Sequence, residues 1–516
     1  MIVANDACSR PTRRHLLRQA LAAGIGAPAV LGFGRSADAG PEITGRWSVK
    51  HAWPQVGIHA HLLPASNSAT ARVLTFQDDD VLGLVDRNAG FSKAFVVEIP
   101  ANGAPKSPAV YIPINVTNLF CSGHTFLPDG RLLVSGGHNG HDHYGSMDLN
   151  VFSGPPYAWQ SVRGALNAGR WYGSAITLAT GEALLISGEM AGTNNGNPLP
   201  QVWRESSGLH DLSTAILELP NYPVIYVAPD GRVFMAGPDQ ATRYLDTKGT
   251  GKWSTGPKRL FGRRVYGLSA TYGDGKILVA AGATAVGAAP TNTAEIIDLQ
   301  SSSPAWRKTG SLRYPRKHAN ATLLPDGTVL VTGGSSSTAF NDAAGAIFAA
   351  ELWNPSSGTW TTLASAQVPR IYHSCALLLP DGRVLSLGGG RPKAKNGGQH
   401  NRNAEIFEPP YLSAPNGSLA VRPAIVSAPT SAGYGQKVFV RTSGPGPVQQ
   451  VTLVRLSSVT HTFNMNQRFQ RASFTAATGG VTVTIPGSTN LVPPGHYMLF
   501  VLSGGVPSVA RIIQIG

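Results

Sequence analysis

One hairpin recurs along this chain. Residues 368–390 read VPRIYHSCALLLPDGRVLSLGGG, two apolar runs around a Pro-Asp-Gly turn. Asp-Gly between two such runs is a strong short-range hairpin signal. The same frame surrounds turn glycines Gly130, Gly181, Gly231, Gly275, Gly327 and Gly382, at successive spacings of 51, 50, 44, 52 and 55 residues. A looser seventh copy starts at His59-Ala60-His61, with Ser66-Asn67-Ser68 in its turn. A single unit of this size cannot bury both its faces, so the copies must pack on one another.

A repeat near 50 residues built of short strands predicts the blades of a kelch-type β-propeller, seven of them over about 50–412. Strands at 293–299, 350–353 and 404–407, read as outer strands, share an Ala-Glu-hydrophobic pattern, and 407–412 is expected to close the last blade. A Pro/Gly/Ser-bearing linker at 413–423 follows. Short strands at 438–441, 451–456, 481–485 and 497–502 then predict an Ig-like, early-set β-sandwich over 413–516. The fold class is therefore all-β, with the propeller at 40–412.

Counting back nine from each turn glycine reaches Cys121, Tyr172, Tyr222, Tyr266, His318 and His373. Pseudo-equivalent positions in a propeller share one rim of the central channel. Polar side chains converging in a concavity point to a site, since buried polar groups need partners.

Residues 1–39 read as an export signal. Thr12-Arg13-Arg14-His15-Leu16-Leu17-Arg18 has the twin-arginine pattern, an apolar stretch follows to about Gly34, and Ala37-Asp38-Ala39 is a small-x-small cleavage site. The mature chain then begins near Gly40, outside the cytoplasm, in the periplasm, secreted or at the cell surface. No later stretch is apolar enough to span a bilayer. The formal charge is +14, and the signal holds five arginines against two aspartates, leaving about +11. That balance favours acidic polymers or surfaces. No dense basic block with interleaved aromatics marks a nucleic-acid site. Of three cysteines, Cys8 leaves with the signal. Cys375 sits inside a strand on a different blade from Cys121, which argues against a disulfide between them.

Four motifs in order, Leu119-Phe120-Cys121, Gly169-Arg170-Trp171-Tyr172, Arg370-Ile371-Tyr372-His373-Ser374 and Val459-Thr460-His461-Thr462, resemble those of the copper radical oxidases, the galactose oxidase and glyoxal oxidase family. The resemblance runs over nearly the whole mature chain. It implies a Cu(II) site with equatorial ligands Tyr172, His373 and His461 and axial Tyr372. It also implies a thioether between Cys121 and the ring of Tyr172, which then serves as a tyrosyl radical. Imidazole and phenolate donors suit Cu(II), which prefers tetragonal N,O geometry. Copper accepts one electron and the radical a second, with Tyr372 as base and O2 leaving as H2O2. The implied substrate is a small aldehyde or primary alcohol, a glycan among the latter, and the enzyme a monomer.

The glyoxal-oxidase-like branch fits better, because no galactose-binding module precedes the propeller. The loop Ser187-Gly188-Glu189-Met190 also lacks the tryptophan that galactose oxidase carries over its thioether-tyrosine. Tyr222, Arg264, Tyr266 and His318 are expected in the substrate pocket, with Arg264 gripping an oxygen or standing as a solvated rim residue. The loop bearing His138, His141 and His143 reads as a pocket edge rather than a second metal site, since glycine-interrupted histidines lack rigid spacing. Neighbours in a regular strand face opposite ways, so Tyr372 and His373 can share a metal only where the strand is irregular. Two other readings stay open. A non-catalytic kelch propeller binding a glycan or protein leaves the ring idle. A zinc hydrolase lacks HExxH and leaves the Cys-Tyr pair idle.

Overall fold

The computed structural model describes residues 39–65, 69–77, 91–114, 116–140, 143–390 and 400–516. The signal reading and the turn 66–68 lie outside the described residues, and so does His141. The described chain is almost entirely strands, in seven antiparallel blade sheets and one larger C-terminal sheet system. The sequence-predicted propeller and C-terminal sandwich are both present. Among the described residues no helix is long and apolar enough to cross a membrane.

Each blade begins at the hairpin visible in the sequence. Ser374–Leu378 pairs with Val384–Gly388, and Ser174–Thr177 with Ala183–Ile186, each across its turn glycine. The two strands of these hairpins are buried throughout, as expected for sheets covered on both faces by neighbouring blades. Outer strands such as Ala158–Val162 alternate exposed and half-buried residues.

Ring closure differs from expectation. The outermost strand of the last blade comes from the other end of the chain: Arg46–Trp47 and His51–Ala52 pair with Asn403–Glu408. The stretch before residue 60 thus closes the ring, and Pro410–Leu412, expected to close the last blade, is only a 3-10 turn. Joining the two ends covers the outer edge of Asn403–Glu408 with two short strands.

The Ala-Glu pattern also has a structural cause, and its strands are third in their blades rather than outermost. Glu295, Glu351 and Glu405 are fully buried and pair with Arg264, Arg316 and Arg370, the arginines two or three residues before the ring positions. The same carboxylates accept backbone N–H groups of Leu260, Arg313 and Gln367. Burying a charge is costly unless paired and hydrogen-bonded, and these are both. In the blade of Tyr172, Gln201 takes the place of the glutamate beside Arg170.

The C-terminal region reaches into the propeller. Strands Ser458–Thr460 and Phe463–Asn464 form a hairpin whose first strand adds to His59–Leu62, the inner strand of the first blade. Gly57, two residues before that strand, stands where the other blades carry Cys121, Tyr172 or their equivalents and has φ +66°. A side chain there would meet Leu387, 2.7 Å from the added carbon.

Candidate metal centre

The six ring positions share one unusual backbone conformation. Cys121, Tyr172, Tyr222, Tyr266, His318 and His373 have φ of 60°, 63°, 47°, 56°, 60° and 68°. Positive φ is uncommon for residues with a Cβ and costs about 1–3 kcal/mol at each. Blade-to-blade hydrogen bonds hold the bend: the N–H of Tyr172 donates to the Cys121 carbonyl, that of Tyr222 to Tyr172, and that of His318 to Tyr266, at 2.8, 2.8 and 3.0 Å. The bend falls just before the inner strand, which begins at Ser374 in the last blade. Tyr372 and His373 therefore escape strand alternation, and their rings lie stacked with centroids 3.7 Å apart.

The channel brings the predicted metal residues together. The Cys121 sulfur and one ring nitrogen each of His373 and His461 lie within 4.8 Å of one another, the one such group among the described residues. The hydroxyls of Tyr172 and Tyr372 hydrogen-bond to each other. Cys121, Trp171 and Tyr172 pack in one buried cluster with Val56, Ile58 and Phe120.

Hydrogen bonds set the tautomers. His373 Nδ1–H donates to the Gly390 carbonyl at 3.0 Å, which leaves Nε2 with the lone pair. The Thr460 hydroxyl donates to the Ile58 carbonyl, so it accepts from His461 Nδ1–H at 2.7 Å. His461 Nε2 then faces the Cys121 sulfur, 3.5 Å away. Burial, and then the neighbouring His373, holds His461 well below the usual histidine range. Burial, and then Cys121 and Tyr372, pushes Tyr172 well above the usual tyrosine range. Two imidazoles and a cysteine sulfur within 4.8 Å of one another, beside two paired phenols, form a donor set that suits a borderline-soft ion such as Cu(II). The residues fit copper on chemistry alone.

Above the centre lies a cavity of about 500 Å³, whose walls include Trp171, Tyr172, Tyr222, Tyr266, Phe340 and Tyr372. Tyr222 sits 5.0 Å from the Tyr172 ring and donates to the Ser122 carbonyl. Tyr266 stacks on His318 at 4.2 Å, and burial lowers His318 to about 3. Arg264 lines the cavity and is buried, not a solvated rim residue. Its Nε donates to Glu295, its Nη1 to the Ala281 and Thr293 carbonyls, and its Nη2 to the Thr293 hydroxyl. Four of the five guanidinium N–H donors are thus committed to the blade.

Several functional neighbours escaped sequence reasoning. Trp171 lies edge-on to Tyr172 with centroids 4.3 Å apart, so the neighbouring aromatic is the adjacent residue rather than one from the following loop. Phe340 covers Tyr372 at 4.5 Å. A buried polar chain runs behind Cys121: its N–H donates to His59 Nε2, His59 Nδ1 meets His124 Nε2, and the Ser458 hydroxyl bridges His124 and His61. The alternation His59-Ala60-His61 hinted at an inward face but not at its partners. His138 and His143 flank Trp171 at 5.9 and 5.0 Å. Cys121 and Cys375 form no disulfide, and the Cys375 thiol donates to the Ile58 carbonyl.

Known proteins carry the same architecture. Residues 286–411 match the family model described as glyoxal oxidase N-terminus, and 422–515 match galactose oxidase-like, early set domain. A galactose oxidase of Gibberella zeae is 29% identical over 435 residues, covering 78% of this chain and 62% of that protein. The aldehyde oxidase GLOX of Vitis pseudoreticulata is 28% identical over 446 residues, covering 78% of this chain and 82% of that one. This chain thus spans less than two thirds of the length of the galactose oxidase. A solved structure, described as a novel fungal alcohol oxidase with catalytic diversity in complex with copper, superposes with TM-score 0.81 at 26% identity, over 92% of this chain and 99% of that one. Two successive domain models and a structural match over both propeller and sandwich point the same way: the chain is similar to the galactose oxidase and glyoxal oxidase family over both regions.

Proposed function

We propose that this protein is a mononuclear copper radical oxidase that converts a primary alcohol or an aldehyde hydrate to the next oxidation level, with O2 as acceptor and H2O2 as product. The observation that carries the reading is the convergence of Cys121, His373 and His461 donors within 4.8 Å beside the paired Tyr172 and Tyr372, with Cys121, Tyr172, His373 and His461 on strained backbone. Strain of this kind persists where surrounding structure over-determines it, and it clusters at functional sites.

Tyr172, Tyr372, His373 and His461 would hold the metal. Copper would supply one electron-accepting centre and a Cys121-linked Tyr172 the second, matching the two electrons that leave the substrate carbon for O2. The protein's own residues do the rest. Gly390 and Thr460 hold the two imidazoles with Nε2 available. Tyr372, paired to Tyr172, is the proton acceptor for the substrate hydroxyl. The aromatic walls exclude water and orient an alcohol toward the tyrosine pair. Export by the twin-arginine route, cut near Ala39, completes the proposal and rests on residues 12–39 of the sequence.

The test is direct. Copper-loaded protein should consume O2 and release H2O2 on a panel of primary alcohols and aldehydes, and metal-free protein should not. A protein that binds one copper and releases no peroxide on any of them would defeat the oxidase reading.

A further inference from the structure

The cavity of about 500 Å³ is in the range, about 300–1,000 Å³, that takes drug-sized ligands. A two-carbon aldehyde needs far less. What lines its outer part is therefore informative.

One group there is built rather than incidental. Glu189 is buried, and both carboxylate oxygens are committed: Oε2 lies 2.6 Å from His143 Nδ1, and Oε1 accepts from Asn221 Nδ2 at 3.0 Å. The Glu189 backbone is tied to Trp171 in both directions, at 2.7 and 3.0 Å. His143 itself has φ +68° and sits edge-on to Trp171, which sits edge-on to Tyr172. Three residues of the cavity wall thus fix one imidazole two rings out from the tyrosine pair.

The carboxylate only accepts, so Nδ1 of His143 carries a proton. In the neutral imidazole Nε2 is then an acceptor, the one polar atom of the ring left to serve the cavity. An acceptor fixed at that place selects a donor.

We propose that His143, held by Glu189 and Asn221, is a specificity-determining residue that accepts a hydrogen bond from a second hydroxyl of the substrate, several carbons from the carbon oxidised. The substrates are accordingly alcohols with a remote hydroxyl rather than two- or three-carbon aldehydes. Only the identity of the reacting end rests on the oxidase reading above.

Binding of 1,6-hexanediol and 1-hexanol to the purified protein, followed by saturation-transfer NMR under argon, tests this without turnover. The diol should bind tighter by about fivefold to tenfold, the size of one net hydrogen bond. His143→Phe keeps a ring against Trp171 but removes the acceptor, so the ratio should fall toward one. Glu189→Gln can donate to Nδ1 and reverse the tautomer, so 6-methoxyhexan-1-ol, whose far end only accepts, should gain on 1-hexanol. Where turnover is measured, the diol-to-hexanol ratio of kcat/KM should follow the binding ratio, through KM. Equal affinities in the wild type, or a ratio that His143→Phe leaves intact while both affinities fall, would overturn the proposal. Absence of peroxide beside an intact binding ratio would sink the oxidase reading and leave this one standing.

Discussion

The Tyr172 amide donates to the Cys121 carbonyl at 2.8 Å, although the two residues are 51 positions apart. Each occupies the same left-handed bend on successive blades. The bond between the backbones holds the sulfur and the phenol ring in one buried cluster.

From this follows the covalent prediction. Copper and O2 added to the metal-free protein should join the Cys121 sulfur to the Tyr172 ring, with loss of two hydrogens. A peptide digest should then yield one linked species resistant to thiol reductants. Cys121→Ser should retain copper through the histidines and lose most peroxide output. Cys375 serves as the control: burial pushes its thiol far up, so it should resist alkylation until the protein unfolds. Two separate peptides with an alkylatable Cys121 after copper treatment would exclude the thioether.

His461 arrives on a hairpin that pairs with the first blade through the backbone of Ser458–Thr460. Removing its side chain leaves that pairing intact. His461→Ala should weaken copper binding by at least about tenfold, a loss no smaller than that of an outer hydrogen-bond partner. The urea midpoint should hardly move. Normal copper content in this variant, read by metal analysis after dialysis, would remove the C-terminal region from the site.

Arg264 and Glu295 hold a blade together. Glu295→Ala leaves a guanidinium buried and unpaired, and should cost about 3–5 kcal/mol in urea denaturation of the metal-free protein. Replacing both by apolar residues, Arg264→Met with Glu295→Leu, should recover much of it. A loss below 1 kcal/mol for Glu295→Ala, on the order of an exposed pair, would show that the ion pair is not structural.

The buried histidine chain sets a pH dependence. Burial lowers His124 to about 3, against 6.5 when unfolded. The unfolded chain therefore binds more protons between those values, and stability must fall as pH drops from about 6.5 toward 3. The slope is at most about 1.4 kcal/mol per pH unit for each such histidine. Urea midpoints of metal-free protein at pH 7, 6 and 5 should decline in that order. His124→Leu should flatten the decline, and an identical slope in that variant would assign the effect elsewhere.

What the sequence by itself determined is the part written in local chemistry. Asp-Gly turns at a period near 50 specify hairpins of one size, and hairpins of one size stack into blades. Counting nine back from Gly130, Gly181 and Gly382 reaches Cys121, Tyr172 and His373 because the strand length between bend and turn is constant. The tertiary structure alone decided what depends on partners far along the chain. The ring is closed by Arg46–Trp47, Arg264 is spent on Glu295, and Thr460 fixes the His461 tautomer. The histidine-rich loop gains its meaning from Glu189 and Asn221, 46 and 78 positions beyond His143. A side chain's type is local, but the proton it carries and the partner it spends it on are set by whichever residue the fold brings within 3 Å or so.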